Sequence, residues 1–111
     1  MTLPNASAAV VEIEKLRDYC LDPDHPRGKH KARVLRAALG ITQEDSESFR
    51  LKILESVGSG HCQQGACDDY GTRFSVEMNV EMNGMHAIIC TGWIVRTGED
   101  FPRLTTCYAL G

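Results

Sequence analysis

Apolar positions recur at helical spacing through the first half of the chain. Val10, Ile13, Leu16 and Tyr19 predict a first helix, capped near Ser7 and ended by the DPDHP segment. Pro23 and Pro26 make residues 22–28 a loop, because each removes an N–H donor and biases its predecessor away from the α region. A second helix is expected from residues 28–30 through Val34, Leu35 and Ala38 to Leu39, with Gly40-Ile41 as a glycine stop and its following apolar residue. Thr42 with Asp45 three positions on forms a capping-box-like start. The third helix then carries Phe49, Ile53, Leu54 and Val57 and stops at GSG, residues 58–60.

From Tyr70 onward the period changes to two. In TRFSVEMNV, Phe74, Val76, Met78 and Val80 alternate with Arg73, Ser75, Glu77 and Asn79. Asn83-Gly84 is a strong hairpin signal, since a type I′ turn needs positive φ at both central residues. A two-residue turn there pairs Met82 with Met85, Val80 with Ala87, Met78 with Ile89, Val76 with Thr91 and Phe74 with Trp93. That face is apolar, so it is the one the helices should cover. The opposite face pairs Glu81 with His86, Glu77 with Cys90 and Arg73 with Ile94. A turn at TGEDFP leads to a third strand, residues 103–110, in which Leu104, Thr106, Tyr108 and Leu110 share one face. Arg103, Thr105, Cys107 and Ala109 share the other. HCQQGAC, residues 61–67, reads as a surface loop. The expected fold is α+β, one domain over residues 1–111, with three N-terminal helices packed on one face of a three-stranded antiparallel meander.

Composition narrows the class. At 111 residues the chain suffices for one hydrophobic core, and its 42% hydrophobic and 24% charged content is that of a globular protein. No apolar run approaches the length of a membrane span, and the N-terminus lacks a basic n-region, which predicts a cytoplasmic protein that does not engage membranes. Five cysteines without framework spacing are expected as free thiols, with Cys90 and Cys107 acting as small buried hydrophobes. His61, Cys62 and Cys67 would make only half a zinc site, and no second pair completes it, so no metal is expected. P-loop, dinucleotide, nucleophile-elbow and HExxH motifs are all missing, so no cofactor is implied.

Charge changes the picture more. The formal net charge is −3, yet five of the twelve Lys and Arg (Arg27, Lys29, Lys31, Arg33 and Arg36) crowd into the start of the second helix, among His25 and His30. Cations at a helix N-terminus oppose the dipole, so they call for a reason. On a helix Lys29, Arg33 and Arg36 share one side, a spacing suited to a phosphate-rich or otherwise anionic ligand. The plainer alternative is a solvated face balanced by Asp18, Asp22 and Asp24. A histidine among cations is disfavoured in its charged form, which suits His30 to act as a general base on a ribose 2′-hydroxyl. On the strands Arg73, Arg96, Arg103, Thr105, Thr106 and Tyr108 could steady a scissile phosphate. Alternatively, the arginines pair with nearby acids such as Glu77, Glu99 and Asp100.

The runs KLRDYCLDPDHPRGKHKARVLRAALGI, DDYGTRFSVE and WIVRTGEDFPRLTTCYAL resemble a family of small uncharacterised bacterial domains, the likeness extending from about Leu3 to Leu110. Members occur free-standing in toxin–antitoxin-like gene pairs, and related domains end filamentous-haemagglutinin-like toxins. The resemblance implies a small cognate antitoxin- or immunity-like partner. A looser resemblance, at fold level, is to the barnase/RelE-like metal-independent ribonucleases. It implies RNA as substrate, His30 with Lys29 or Lys31 as base or electrostatic group, and Arg33 and Arg73 gripping phosphate. Thr105 or Tyr108 would line the sheet's active face, and Arg27, Lys31, Arg33 and Arg36 would bind the anion. Without catalysis, the same basic helix would bind an acidic protein partner, nucleic acid or another anionic ligand.

Overall fold

A computed structural model describes residues 1–110. The chain folds into a helical layer followed by one antiparallel sheet. α1 (Ile13–Lys15) continues directly into a wide π-type turn, Leu16–Cys20. α2 spans Lys29–Leu39 and α3 spans Ser46–Ser56. β1 (His61–Asp68), β2 (Gly71–Met82), β3 (Met85–Arg96) and β4 (Pro102–Leu110) follow in sheet order β1-β2-β3-β4.

The meander expected to have three strands therefore has four. Residues 61–68, expected as a loop, pair with β2 from His61↔Glu77 to Asp68↔Gly71, with a bulge between Gln64 and Cys67. No alternation marks them because only Cys62 is buried. β1 is an edge strand held by its ladder, and its side chains meet solvent on both faces. The first helix is also shorter than its pattern predicts. Val10 N–H donates to the Pro102 carbonyl and Leu104 N–H to the Val10 carbonyl, both at 2.9 Å. The edge of β4 thus captures Val10 in extended form, and helix begins only at Ile13.

Elsewhere the pattern and the fold agree. The β2–β3 hairpin has the expected register throughout, with Asn83 at φ 56° and Gly84 at φ 72°. α2 ends at Gly40, left-handed at φ 66°, and the Thr42–Asp45 capping box forms. It opens a short turn, Gln43–Asp45, that leads into α3.

One face of β2 and β3 meets the helices. Phe74, Val76, Met78, Val80, Ile89 and Trp93 pack with Leu16, Leu35, Leu39, Phe49 and Ile53 in a single core. Two of its buried polar groups are satisfied in series: the Trp93 indole N–H donates to Thr91 Oγ1 at 2.8 Å, and that hydroxyl donates to the Val76 carbonyl at 2.8 Å. In β4 the expected phase slips. A bulge at Thr105 sets Leu104 against Trp93 but Thr106 against Gly92, so Leu104, Cys107 and Ala109 turn into the core. A Cβ on Gly92 would stand 3.0 Å from Thr105 Oγ1, which puts that hydroxyl on the outer face of the sheet. Thr106 Oγ1, in contrast, is buried near Cys20 without a hydrogen-bond partner among the described residues. Tyr108, paired with Cys90, lies on that face as well. Among the described residues no helix is long and apolar enough to cross a membrane.

Candidate functional site

The basic segment is built by its loop. His25 Nδ1 accepts hydrogen bonds from the N–H groups of Arg27 (3.0 Å) and Gly28 (2.9 Å), and the ring stands edge-on to Tyr19, centroids 5.0 Å apart. His25 is therefore a loop-closing acceptor. Gly28 sits so close to the π-type turn that a Cβ would lie 2.0 Å from the Tyr19 carbonyl oxygen. Together these contacts seat the first turn of α2 against the turn that precedes it. At the other end Asn83 Nδ2 donates to the Leu39 carbonyl at 2.8 Å, tying the helix C-terminus to the hairpin turn.

With Ala32, Leu35 and Leu39 buried, the cations of α2 divide between its two flanks. Lys31 turns toward β4: its ammonium lies 5.4 Å from the Tyr19 ring centroid, beside the buried thiols of Cys20 and Cys107. The Cys107 thiol donates toward Cys20 and holds Cys20 below the ordinary thiol range. Cys107 itself is pushed well above that range, by giving this hydrogen bond and by its own burial.

The other flank faces a groove of about 830 Å³. Lys29, His30, Arg33 and Arg36 form its α2 wall, and the facing wall is Ile41, Thr42, Gln43 and Glu44. Buried Leu21 and Ala32 and exposed Pro23 complete the lining. Gln43 Nε2 donates to the Arg17 carbonyl at 2.7 Å and fixes the facing wall to the turn below.

Four cations outside α2 are ion-paired, whereas Lys15, Arg27, Lys52 and Arg96, like those of α2, have no ion pair among the described residues. Arg17 pairs with Asp18 (2.9 Å), Arg50 with Glu47 (3.0 Å), Arg73 with Asp68 (3.3 Å), and Arg103 with Glu99 (3.0 Å) and Glu12 (3.4 Å). Among the described residues no cation of α2 has an ion pair. Two acids near α2 are engaged locally, while Glu44 lies in the lining of the groove itself with no ion pair among the described residues. Asp18 holds Arg17, and Asp22 Oδ1 accepts from the Asp24 N–H in a local turn. The first turn of α2 contains no acidic residue, whereas Glu44, Asp45 and Glu47 open the helical segment that follows. Lys29, Arg33 and Arg36 thus form a row of cations without ion pairs among the described residues, along a concavity whose one acid is Glu44.

The predicted strand residues do not join that row. Arg73 is out of phase with core residues Phe74 and Val76, so it projects from the outer face, where it pairs with Asp68. Thr105 is on the same outer face, with the sheet between it and α2. Arg27 and Lys31 lie outside the groove lining. Sequence reasoning missed the opposing wall from Ile41 to Glu44 and the buried lining residue Leu21, which reach α2 only through the tertiary fold.

Neither the curated proteins nor the solved structures compared with the chain give a match. A family does, across residues 2–111: the chain belongs to the family described as domain of unknown function (DUF6883).

Proposed function

We propose that this domain is a binding module whose α2 groove recognises an anionic ligand. The observation that carries this reading is the convergence of Lys29, Arg33 and Arg36, none of them in an ion pair among the described residues, on one groove with exposed His30. Lys29 at the first position of α2 opposes the helix dipole, and an external anion bound along the row would offset that cost. Calorimetric titration with tripolyphosphate at low salt tests the reading. Wild type should give saturable, salt-sensitive heat, and an Arg33→Glu/Arg36→Glu double variant should lose it. Absence of heat from wild type, or undiminished binding by the variant, would refute it.

A metal-independent ribonuclease would use this same groove, with His30 as base and Lys29 and Arg33 holding the phosphate. Its support is His30 standing exposed beside Arg33, without the contribution from Arg73 and Thr105 that fold-level analogy supplied. Incubation with total RNA in EDTA separates the two readings: binding alone leaves RNA intact, and cleavage lost in His30→Ala establishes catalysis.

A further inference from the structure

Resting on the reading of the groove as an anion site, we propose that its ligand is an acidic amphipathic helix presented by a partner protein. Size is the first argument. At about 830 Å³ the groove lies toward the upper end of the range for small-ligand pockets, about 300–1,000 Å³, and a bare inorganic anion would leave most of it unfilled. The ligand therefore brings more than charge.

The lining gives the second argument. The lining also includes exposed Pro23 and the buried side chains of Leu21, Ala32 and Ile41, so what reaches the bottom of the groove meets hydrocarbon. The lining contains no Phe, Tyr or Trp, and its one aromatic ring is the His30 imidazole. Single-stranded nucleic acid is held largely by stacking of successive bases on aromatic faces, worth roughly 1–3 kcal/mol per base, and the groove offers one small ring for it. Glu44 closes the facing wall with a negative charge, against a protein of net charge −3. A continuous polyanion would be repelled there. An acidic segment that also carries apolar residues and one basic residue toward Glu44 would not.

Spacing gives the third. Lys29, Arg33 and Arg36 follow one another at i, i+4 and i+7, a row about 10.5 Å long at the helical rise. A helix laid along α2 with Asp or Glu at the same spacing presents carboxylates in register, and its neighbouring apolar residues face the bottom of the groove. Helix-in-groove recognition of this kind reads i, i+3/i+4, i+7 anchors. Charge complementarity sets the orientation and the encounter rate, and the apolar contacts slow release.

A display library of helical peptides about three turns long, selected on the wild-type domain, tests the proposal. Selected sequences should carry Asp or Glu at i, i+4 and i+7 beside a Leu or Ile stripe. Fluorescence anisotropy should show affinity falling at least about tenfold for Arg33→Glu/Arg36→Glu, and again when the peptide's apolar residues become Ser. Arg73→Glu, on the outer face, should bind as wild type. If a short oligouridine or tripolyphosphate binds more tightly than every selected peptide and loses binding in the double variant, the peptide inference falls and anion recognition stands. If selected sequences are not acidic and tripolyphosphate gives no heat, both fall.

Discussion

Replacing Lys29 by glutamate should stabilise the domain while abolishing part of its recognition surface. Lys29 is the first residue of α2, exposed, unpaired and next to the positive end of the helix dipole. A single charge at a helix terminus is worth roughly 0.3–1 kcal/mol, so removing an unfavourable cation and installing a favourable carboxylate changes stability by roughly 0.6–2 kcal/mol. The new carboxylate would also stand four residues before Arg33, adding roughly 0.2–0.5 kcal/mol. No ion pair is lost to offset these gains. A midpoint about 4 °C higher per kcal/mol, for a chain of this size, puts the expected rise at about 3–10 °C at low ionic strength. Urea unfolding followed by Trp93 fluorescence measures the free-energy gain cleanly, because Trp93 is the chain's one tryptophan and is buried in the core. The gain should shrink in high salt, as exposed charges are screened. A variant less stable than wild type by about 1 kcal/mol would show that Lys29 serves the fold, and would remove the reason for assigning it to a ligand.

Thr91→Val leaves the buried Trp93 N–H without its acceptor, so urea unfolding should show a loss of about 1–3 kcal/mol. Gly28→Ala forces a Cβ onto the Tyr19 carbonyl. It should cost more than the gain of about 0.4–1 kcal/mol that a Gly-to-Ala change brings at a compatible site, seen as a lowered thermal midpoint. The bidentate Arg103 guanidinium holds the Glu99 carboxyl below the usual carboxylate range. A depressed folded-state pKa adds stability that is present above the unfolded value, about 4.3, and lost as pH falls through the folded one. The stability gap between wild type and Arg103→Gln should therefore be constant near neutrality and close in acid; a gap unchanged below about pH 3 would contradict the pairing.

Much of the fold was legible because its signals are local. Asn83-Gly84 demands positive φ, and the alternating residues on either side have only one register that buries Phe74, Val76 and Met78 together. Gly40 and the Thr42–Asp45 box mark helix ends by chemistry within four residues. The failures are all cases in which tertiary pairing overrode local pattern. β1 carries no alternation since an exposed edge strand needs none, and Val10 fits a helical stripe yet is bound by β4. The bulge at Thr105 moves Cys107 and Ala109 inward with Leu104 and leaves Thr105 and Tyr108 on one outer face.

The candidate site divides in the same way. Lys29, Arg33 and Arg36 were legible as a stripe because helical periodicity alone aligns them. That Arg73 stands on the far side of the sheet follows from the alternation of β2, but its pairing with Asp68 depends on β1, the strand whose sequence does not announce it. The groove itself exists only because residues 41–44 fold back beside α2, a contact between segments that periodicity does not encode.

If the unpaired cations of α2 form the ligand site, and the outer face of the sheet does not, a bound anion must perturb one surface and spare the other. Amide chemical-shift mapping during titration with tripolyphosphate reads both surfaces at once. Shifts are expected at Lys29, His30, Arg33, Arg36 and the facing residues 41–44, and they should vanish in Arg33→Glu/Arg36→Glu. Shifts concentrated at Arg73, Thr105 and Tyr108, with residues 29–44 unmoved, would place the site on the wrong side of the sheet for the groove to be its seat.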